Sequence, residues 1–367
     1  MTVSRRTILG GALAAASGAL AGAGAGQVKA QPNPTPKPPA RHGGSKRPPF
    51  TPAEGARARV LIANEFSGDI DALFSAVHAL LSRSTEVRGI IGCRARFVPG
   101  YPERTAERSV ELVDEILRLM NLTGAVPSLL GSAQMSSSTA PSKSPGAQAI
   151  VDEAMRTDTV LPLYVAVGGG LTEVASALLI EPRVADRFTL VWIGGHADPK
   201  RPAENNFVID PLAAQLVFNQ FNVPIWQVPS DVYRTCMVSS TELQAFIAPY
   251  GAIGTWLYDK LLEDPRKHIP DQVSFGETYR MGDSPLVLLT ALTDLLPVSA
   301  NPSASDQRTS SSRYEESFAP YLNPDGTYTP RDSGRKIRVY KSVDTRLMFS
   351  DFFAKMRVNY DGCEQPN

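Results

Sequence analysis

Cysteine is nearly absent from this chain: Cys93, Cys236 and Cys363 are the three in 367 residues. So few thiols exclude a disulfide-stapled scaffold, their odd number leaves at least one unpaired, and none has the spacing of a zinc site. Cys93 lies in an apolar run, which predicts a small buried hydrophobe. Aromatic residues are sparse too, at 8%. With 43% apolar and 20% charged residues, the composition is that of a globular chain that folds by burial, either as two nominal domains or as one large unit with insertions. Acids are missing from the first 50 residues, which hold seven Lys and Arg (Arg5, Arg6, Lys29, Lys37, Arg41, Lys46, Arg47). From Thr51 onward 30 basic residues therefore face 37 acidic ones, a balance of −7. A body of that sign lacks the overall basic footprint of a nucleic-acid binder. It has carboxylates to spare for a hard cation or a polyhydroxylated ligand. No internal repeat is visible.

Residues 1–30 predict a cleavable export signal. Ser4-Arg5-Arg6-Thr7-Ile8-Leu9 supplies a twin-arginine start, residues 8–25 are a weakly apolar Ala/Gly stretch, and Val28-Lys29-Ala30 suits a small-residue cleavage site. The alternative is a membrane anchor. A segment so rich in Gly and Ala gains little from transfer into lipid, and no Cys follows it to take an acyl chain, so no stable membrane insertion is expected. The expected destination is the periplasm or the exterior, by the twin-arginine route. Residues 31–52 contain eight prolines among polar and basic residues, the composition of an extended, solvated tether. Residues 53–367 are then the folded part.

That part alternates strand and helix signals. Residues 59–63 form a short apolar run, 64–69 are polar, and from Asp71 the residues Leu73, Phe74, Ala76, Val77, Leu80 and Leu81 recur at helical spacing. Strands follow at 89–91, 163–167, 189–193 and 223–228, with helices over 107–119, 172–179 and 212–218 between them. The fold class this predicts is α/β: a mostly parallel, doubly wound sheet with helices on both faces. In such sheets ligands sit outside the carboxyl ends of the strands. Residues 299–334, rich in Ser, Pro, Asn, Asp and Thr, read as a long surface insertion. A strand (337–340) and a helix reaching Met356 close the chain.

Three polar islands stand at strand ends or helix mouths. The first, Asn64-Glu65-Phe66-Ser67-Gly68-Asp69-Ile70-Asp71, places three carboxylates in seven residues. Such acids repel unless a cation or substrate hydroxyls compensate them, or else Asp69 or Asp71 merely caps the following helix. In the second, Ala203–Pro211, Asp210 reads as a helix cap with Pro211 at the first helical position. Glu204 and Asn206 remain as an acid and an amide suited to hydroxyl recognition. The third, Met281–Val287, holds Asp283. His196 follows Gly194-Gly195 at a strand end, where it either protonates a leaving base or is satisfied by nearby backbone. His78 reads as structural. Trp192, Trp226 and Phe207 read as core, with a place for Phe207 in a base pocket as the alternative.

Taken in order, these stretches resemble the inosine–uridine preferring nucleoside hydrolases, in a divergent branch with an N-E-I-D-D-like loop. Residues 68–75 (Gly-Asp-Ile-Asp-Ala-Leu-Phe-Ser) align with that loop without gaps. Residues 165–175 are similar to the family's G-x-L-T-N-[IV]-A segment, 191–196 to W-[IL]-G-G-[HN], and 203–214 to A-E-F-N-x-x-x-D-P-x-A-A. The resemblance runs from about Val60 to Met356. It implies hydrolysis of the N-glycosidic bond of ribonucleosides or related N-ribosyl compounds, by metal-assisted attack of water on the anomeric carbon. The implied cofactor is Ca2+ held by Glu65, Asp71, the Gly168 carbonyl and Asp283. The implied catalytic carboxylates are Glu65, Asp69 and Asp71, with Glu204, Asn206, His196 and Arg96 at the substrate. Self-association into homo-oligomers is implied as well. Three positions depart from the pattern: Ala72 stands where the family has a second aspartate ligand and offers no oxygen, Glu replaces Asp at 65, and Arg96 falls near the usual asparagine. Asp69 replacing the lost ligand, or Arg96 supplying a fixed positive charge in place of the cation, are the two ways to compensate. The rival reading is a catalytically degenerate protein that binds ribose, nucleoside or carbohydrate without turnover; a weaker third is a polysaccharide-associated protein.

Overall fold

The computed structural model describes residues 55–96, 105–264, 274–292 and 312–362. The expected export signal, the proline-rich tether, Cys363 and residues 299–311 of the expected insertion lie outside the described residues. The principal sheet contains β1 (Ala58–Asn64), β2 (Thr85–Gly92), β3 (Ser128–Leu130), β4 (Leu163–Val167), β5 (Thr189–Ile193) and β6 (Ile225–Val228). A second, small antiparallel sheet is made by β7 (Met237–Ser239), β8 (Ser274–Phe275) and β9 (Thr278–Arg280). Late in the chain, β10 (Arg313–Phe318) and β13 (Lys336–Ser342) join the principal sheet, and β11 (Tyr321–Leu322) and β12 (Tyr328–Thr329) make a hairpin. The eight-stranded order is β10-β13-β6-β5-β4-β1-β2-β3, parallel except for β10, which runs against β13.

Strand alternation splits the core in two. Val60 and Ile62 of β1 face one side with Tyr164, Ala166, Val191 and Ile193; they pack under α1 (Ile70–Leu80) and α2 (Thr105–Leu119). Leu61 and Ala63 face the other with Leu163, Val165, Leu190 and Trp192, under α3 (Pro145–Ala154) and α4 (Thr172–Ile180). Two apolar faces per strand demand helices on both sides, and the doubly wound expectation holds. After β5 come α5 (Asn205–Ile209), α6 (Pro211–Asn219) and α7 (Ser230–Tyr233). They are followed by α8 (Ser240–Phe246), α9 (Gly251–Glu263), α10 (Pro285–Val287) and α11 (Thr345–Tyr360). Because β2 and β3 are laid down on one side of β1 and β4, β5 and β6 on the other, the connections diverge between β1 and β4. A crevice opens there at the carboxyl ends.

The expected surface insertion carries secondary structure of its own. From 312 onward it supplies the edge strand β10 and the hairpin β11–β12, which braces the loop after β5. Tyr328 N donates to the Pro199 carbonyl (2.8 Å) and Ala203 N to the Asp325 carbonyl (2.8 Å), while Gln227 Nε2 donates to the Tyr328 hydroxyl at 3.0 Å. The β10 sequence Arg-Tyr-Glu-Glu-Ser-Phe is mostly exposed, and a charged edge strand gives no apolar signal. Cys93 and Cys236 are buried and unbridged, with burial raising both thiols above the ordinary range.

His78 is structural, as expected. It is buried on α1, stacks on Phe352 at 4.8 Å, and its Nε2 meets Asp351 Oδ2 at 2.8 Å. Lys355 Nζ shares that carboxylate at 2.5 Å. Burial holds the imidazole down to about 4 from 6.5. The unfolded chain therefore binds this proton before the folded protein does. Stability is full above the unfolded value and is lost as pH falls from about 6.5 toward 4, by on the order of 3 kcal/mol. Urea titrations at pH 7 and 4.5 should show that loss, and His78→Gln should flatten it; an equally steep loss in the variant contradicts the assignment.

Candidate active site

The crevice holds a hollow of about 420 Å³. Its walls bring together Asp69, Asp71, Arg96, Gly168, His196, Glu204, Asn206 and Asp283, eight of the nine residues singled out from the sequence. Separations of up to 214 positions along the chain thus close into one site.

The floor forms where β1 ends. Asn64, fully buried, donates from Nδ2 to Asp283 Oδ2 at 2.8 Å and accepts the Glu65 N–H on Oδ1 at 2.8 Å. Gly168 passes directly over it: a Cβ there would lie 2.3 Å from Asn64 Nδ2, so only glycine permits this approach. Asp71 does not cap α1. Its Oδ2 accepts the Asp283 N–H at 2.9 Å, and Ser75 Oγ holds the Asp283 carbonyl at 3.1 Å. Asp69 occupies the capping position without making the capping bond. Asp71 Oδ1 is buried with no hydrogen-bond partner. Burial first, then the charges of Asp283 and Asp69, raise the Asp71 carboxyl well above the usual range.

Glu65 stands beside the hollow rather than among its lining residues. It is buried; its Oε2 accepts the Arg96 N–H at 3.3 Å and packs against Gly68. Consecutive side chains leaving a strand point to opposite sides. Asn64 takes the side facing Asp283. The Arg96 guanidinium lies at the exposed mouth, donating to Asn205 Oδ1 at 3.2 Å, and does not replace a cation on the floor. The arginine whose charge meets Asp69 and Asp71 is Arg280.

The far wall is organised by Glu204. Its Oε2 accepts the N–H groups of Gly195 (3.0 Å), Asn206 (3.0 Å) and Phe207 (3.3 Å), and Oε1 accepts the Tyr233 hydroxyl at 2.6 Å. Gly195, at φ +70°, makes the turn that delivers the first of these. Burial raises the Glu204 carboxyl above its ordinary value despite these donors. Asn206 spends both amide hydrogens on the carbonyls of Gly168 (3.1 Å) and Ile193 (2.8 Å). Its Oδ1 and the outer lone pair of Glu204 Oε1 are what remain for a ligand. His196 Nδ1 meets Ser230 Oγ at 2.5 Å, rather than backbone alone. Burial and then the Arg201 charge lower the imidazole from 6.5, which favours its neutral form. Asp210 caps α6 through Ala213 N at 3.1 Å, as expected. Trp192 and Phe207 are core residues, and Phe207 does not line the hollow. Trp226 is only half-buried. Sequence reasoning gave no role to Asn64, which opens the first polar island, and missed Tyr233, Arg201, Arg234 and Arg280, which lie outside the quoted motifs.

The donors on the floor are all oxygens: Asp71 with its orphaned Oδ1, Asp283 and the Gly168 carbonyl, which keeps a lone pair beside its bond to Asn206. That chemistry suits a hard cation. Among the described residues no group of three His, Cys, Asp or Glu is arranged to hold a metal ion. Ala72 is buried in the core and adds nothing.

An open α/β sheet thus gathers acids and amides at its switch point, where ligands of such sheets sit. Residues 69–344 match the family model for inosine-uridine preferring nucleoside hydrolases. The chain belongs to that family. Curated inosine-uridine preferring nucleoside hydrolases from Crithidia fasciculata (40% identical over 77 residues) and Leishmania major (42% over 81) are similar to it. The alignments span 20% of this chain and only 22% and 24% of those relatives. A plant nucleoside hydrolase superposes with a TM-score of 0.58 at 14% identity, covering 82% of this chain and 99% of that one. A purine-preferring ribonucleoside hydrolase from Gardnerella vaginalis gives 0.58 at 17%, covering 81% and 98%. These two share the fold.

Asp71→Asn removes a buried like charge while its amide oxygen still accepts the Asp283 N–H. In chelator-treated protein it should raise stability by on the order of 1 kcal/mol in urea titrations. A loss of stability instead means that the acids do not repel one another in the folded state.

Proposed function

We propose that the protein hydrolyses the N-glycosidic bond of a ribonucleoside or related N-ribosyl compound. The observation that supports this best is the convergence of Asp69, Asp71 and Asp283 with Glu204 and Asn206 in one hollow of a nucleoside hydrolase family member. Ribose hydroxyls meet Asp71 and Asp283 on the floor and Asn206 Oδ1 on the far wall, all of which accept from them. Water adds to the anomeric carbon as the bond to the base nitrogen breaks. Asp69, half-buried at the lining, takes the proton of that water, and the departing nitrogen acquires one in return. The fixed negative charge of Asp283 and Asp71 offsets positive charge developing on the ribosyl ring. A Ca2+ ion, held by Asp71, Asp283 and the Gly168 carbonyl, would supply Lewis-acid polarisation of water at this floor.

Ala72, and the spending of Glu204 and Asn206 on internal hydrogen bonds, favour a second reading: a ligand-binding protein without turnover. A hydrolysis assay over ribonucleosides, with Ca2+ added and then chelated, separates the two. Turnover that chelation abolishes is expected, with Asp283→Ala lowering kcat/KM by about 10²-fold or more. Ribose binding without turnover would establish the second reading.

Export by the twin-arginine route to the periplasm or exterior completes the proposal. It rests on Arg5-Arg6 and the Ala/Gly stretch that follows; no helix among the described residues is long and apolar enough to cross a membrane. Cell fractionation should find the protein outside the cytoplasm, and replacing both Arg5 and Arg6 with Lys should retain it inside.

A further inference from the structure

The hollow has a second chemistry that hydrolysis of an uncharged nucleoside does not use. Four arginines line it: Arg96 after β2, Arg201 after β5, Arg234 after α7 and Arg280 at the end of β9. The acids Asp71, Asp283 and Glu204 are buried, whereas Arg96 and Arg234 are exposed and Arg201 and Arg280 half-buried. The site is therefore acidic at its floor and basic at its rim.

Neutralisation of acids accounts for only part of that rim. Arg96 bonds a neutral amide, Asn205 Oδ1, at 3.2 Å. Arg201 Nη1 pairs with Asp231 Oδ1 at 3.1 Å, and the other oxygen of that carboxylate is taken by the Ala197 N–H at 2.8 Å. Arg280 lies within reach of the Asp69 and Asp71 charges. Arg234 forms no ion pair with any described carboxylate. Its charge works against that of Arg280, which it lowers after burial, and Arg201 and Arg234 both disfavour protonation of His196. Cationic groups crowded in this way repel one another until an anion enters among them. A guanidinium fork matches the oxygens of a phosphate, and about 420 Å³ lies within the range of pockets that enclose small ligands.

We infer that the ligand is an N-ribosyl compound carrying a phosphate monoester, the phosphate held at the rim by Arg234 with Arg201 and Arg280, and the ribose hydroxyls turned to Asp71 and Asp283. The inference rests on the proposed function for its sugar, while its anion rests on the arginines alone.

Calorimetric titration of the mature protein with ribose 5-phosphate, ribose and inorganic phosphate tests it. Ribose 5-phosphate should bind about tenfold more tightly than either fragment. Arg234→Gln, at an exposed position whose folding is checked by circular dichroism, should reduce that preference to within about twofold of ribose while ribose binding persists. Ribose 5-phosphate binding no tighter than ribose, or no tighter than inorganic phosphate, overturns the inference. A parallel assay of nucleosides against nucleoside 5′-monophosphates keeps the two readings apart. Preferential ribose 5-phosphate binding with neither substrate hydrolysed upholds the inference and rejects the hydrolase. Nucleoside hydrolysis with no gain from the phosphate does the reverse.

Discussion

Asp71 is buried against Asp283, and the rest of the site is arranged around that juxtaposition. Two carboxylates out of water repel each other and lose hydration. The fold holds them in place by backbone geometry: the Asp283 N–H is bonded to Asp71, Asn64 is bonded to Asp283, and Gly168 and Gly282 leave room for the approach. One oxygen, Asp71 Oδ1, is left with no protein partner. A folded chain keeps such a group where a ligand supplies what the protein omits.

The opposite wall solves a different problem. Loops after β5 and β6 have no sheet to order them, and one carboxylate, Glu204, gathers three backbone N–H groups and the Tyr233 hydroxyl. The hairpin β11–β12 supports the same loop from outside through Tyr328 and Asp325. Glu204 thus shapes the hollow as much as it lines it. A residue chosen from sequence as a ligand-binding acid is also the hub that fixes where His196 and Asn206 stand.

Much of the fold was legible because apolar strands and amphipathic helices announce themselves locally. The runs at 59–63, 163–167 and 189–193 coincide with β1, β4 and β5, and the doubly wound sheet follows from their alternation. What escaped was weakly patterned: β3 has three residues, α3 has a modest apolar face, and β10 is a charged edge. The site was legible where a motif repeats a known order, as with Asp71, Gly168, Glu204, Asn206 and Asp283. It was not legible at Asn64, since nothing local announces that its amide will meet Asp283. Nor was it legible at Ala72, where the sequence shows only that a ligand oxygen is missing and not that Asp69 stays at the lining.

By itself the sequence determined the sheet, its helical covering and the set of acids available, since each depends on spacing within a few residues. Only the tertiary structure decided which side chains share a solvent cavity and with what sign of charge. A body with a balance of −7 reads as indifferent to phosphate, because net charge sums over all residues and discards position. Arg201, Arg234 and Arg280 are brought together by three separate elements, and Coulomb interactions depend on distance through space, not along the chain.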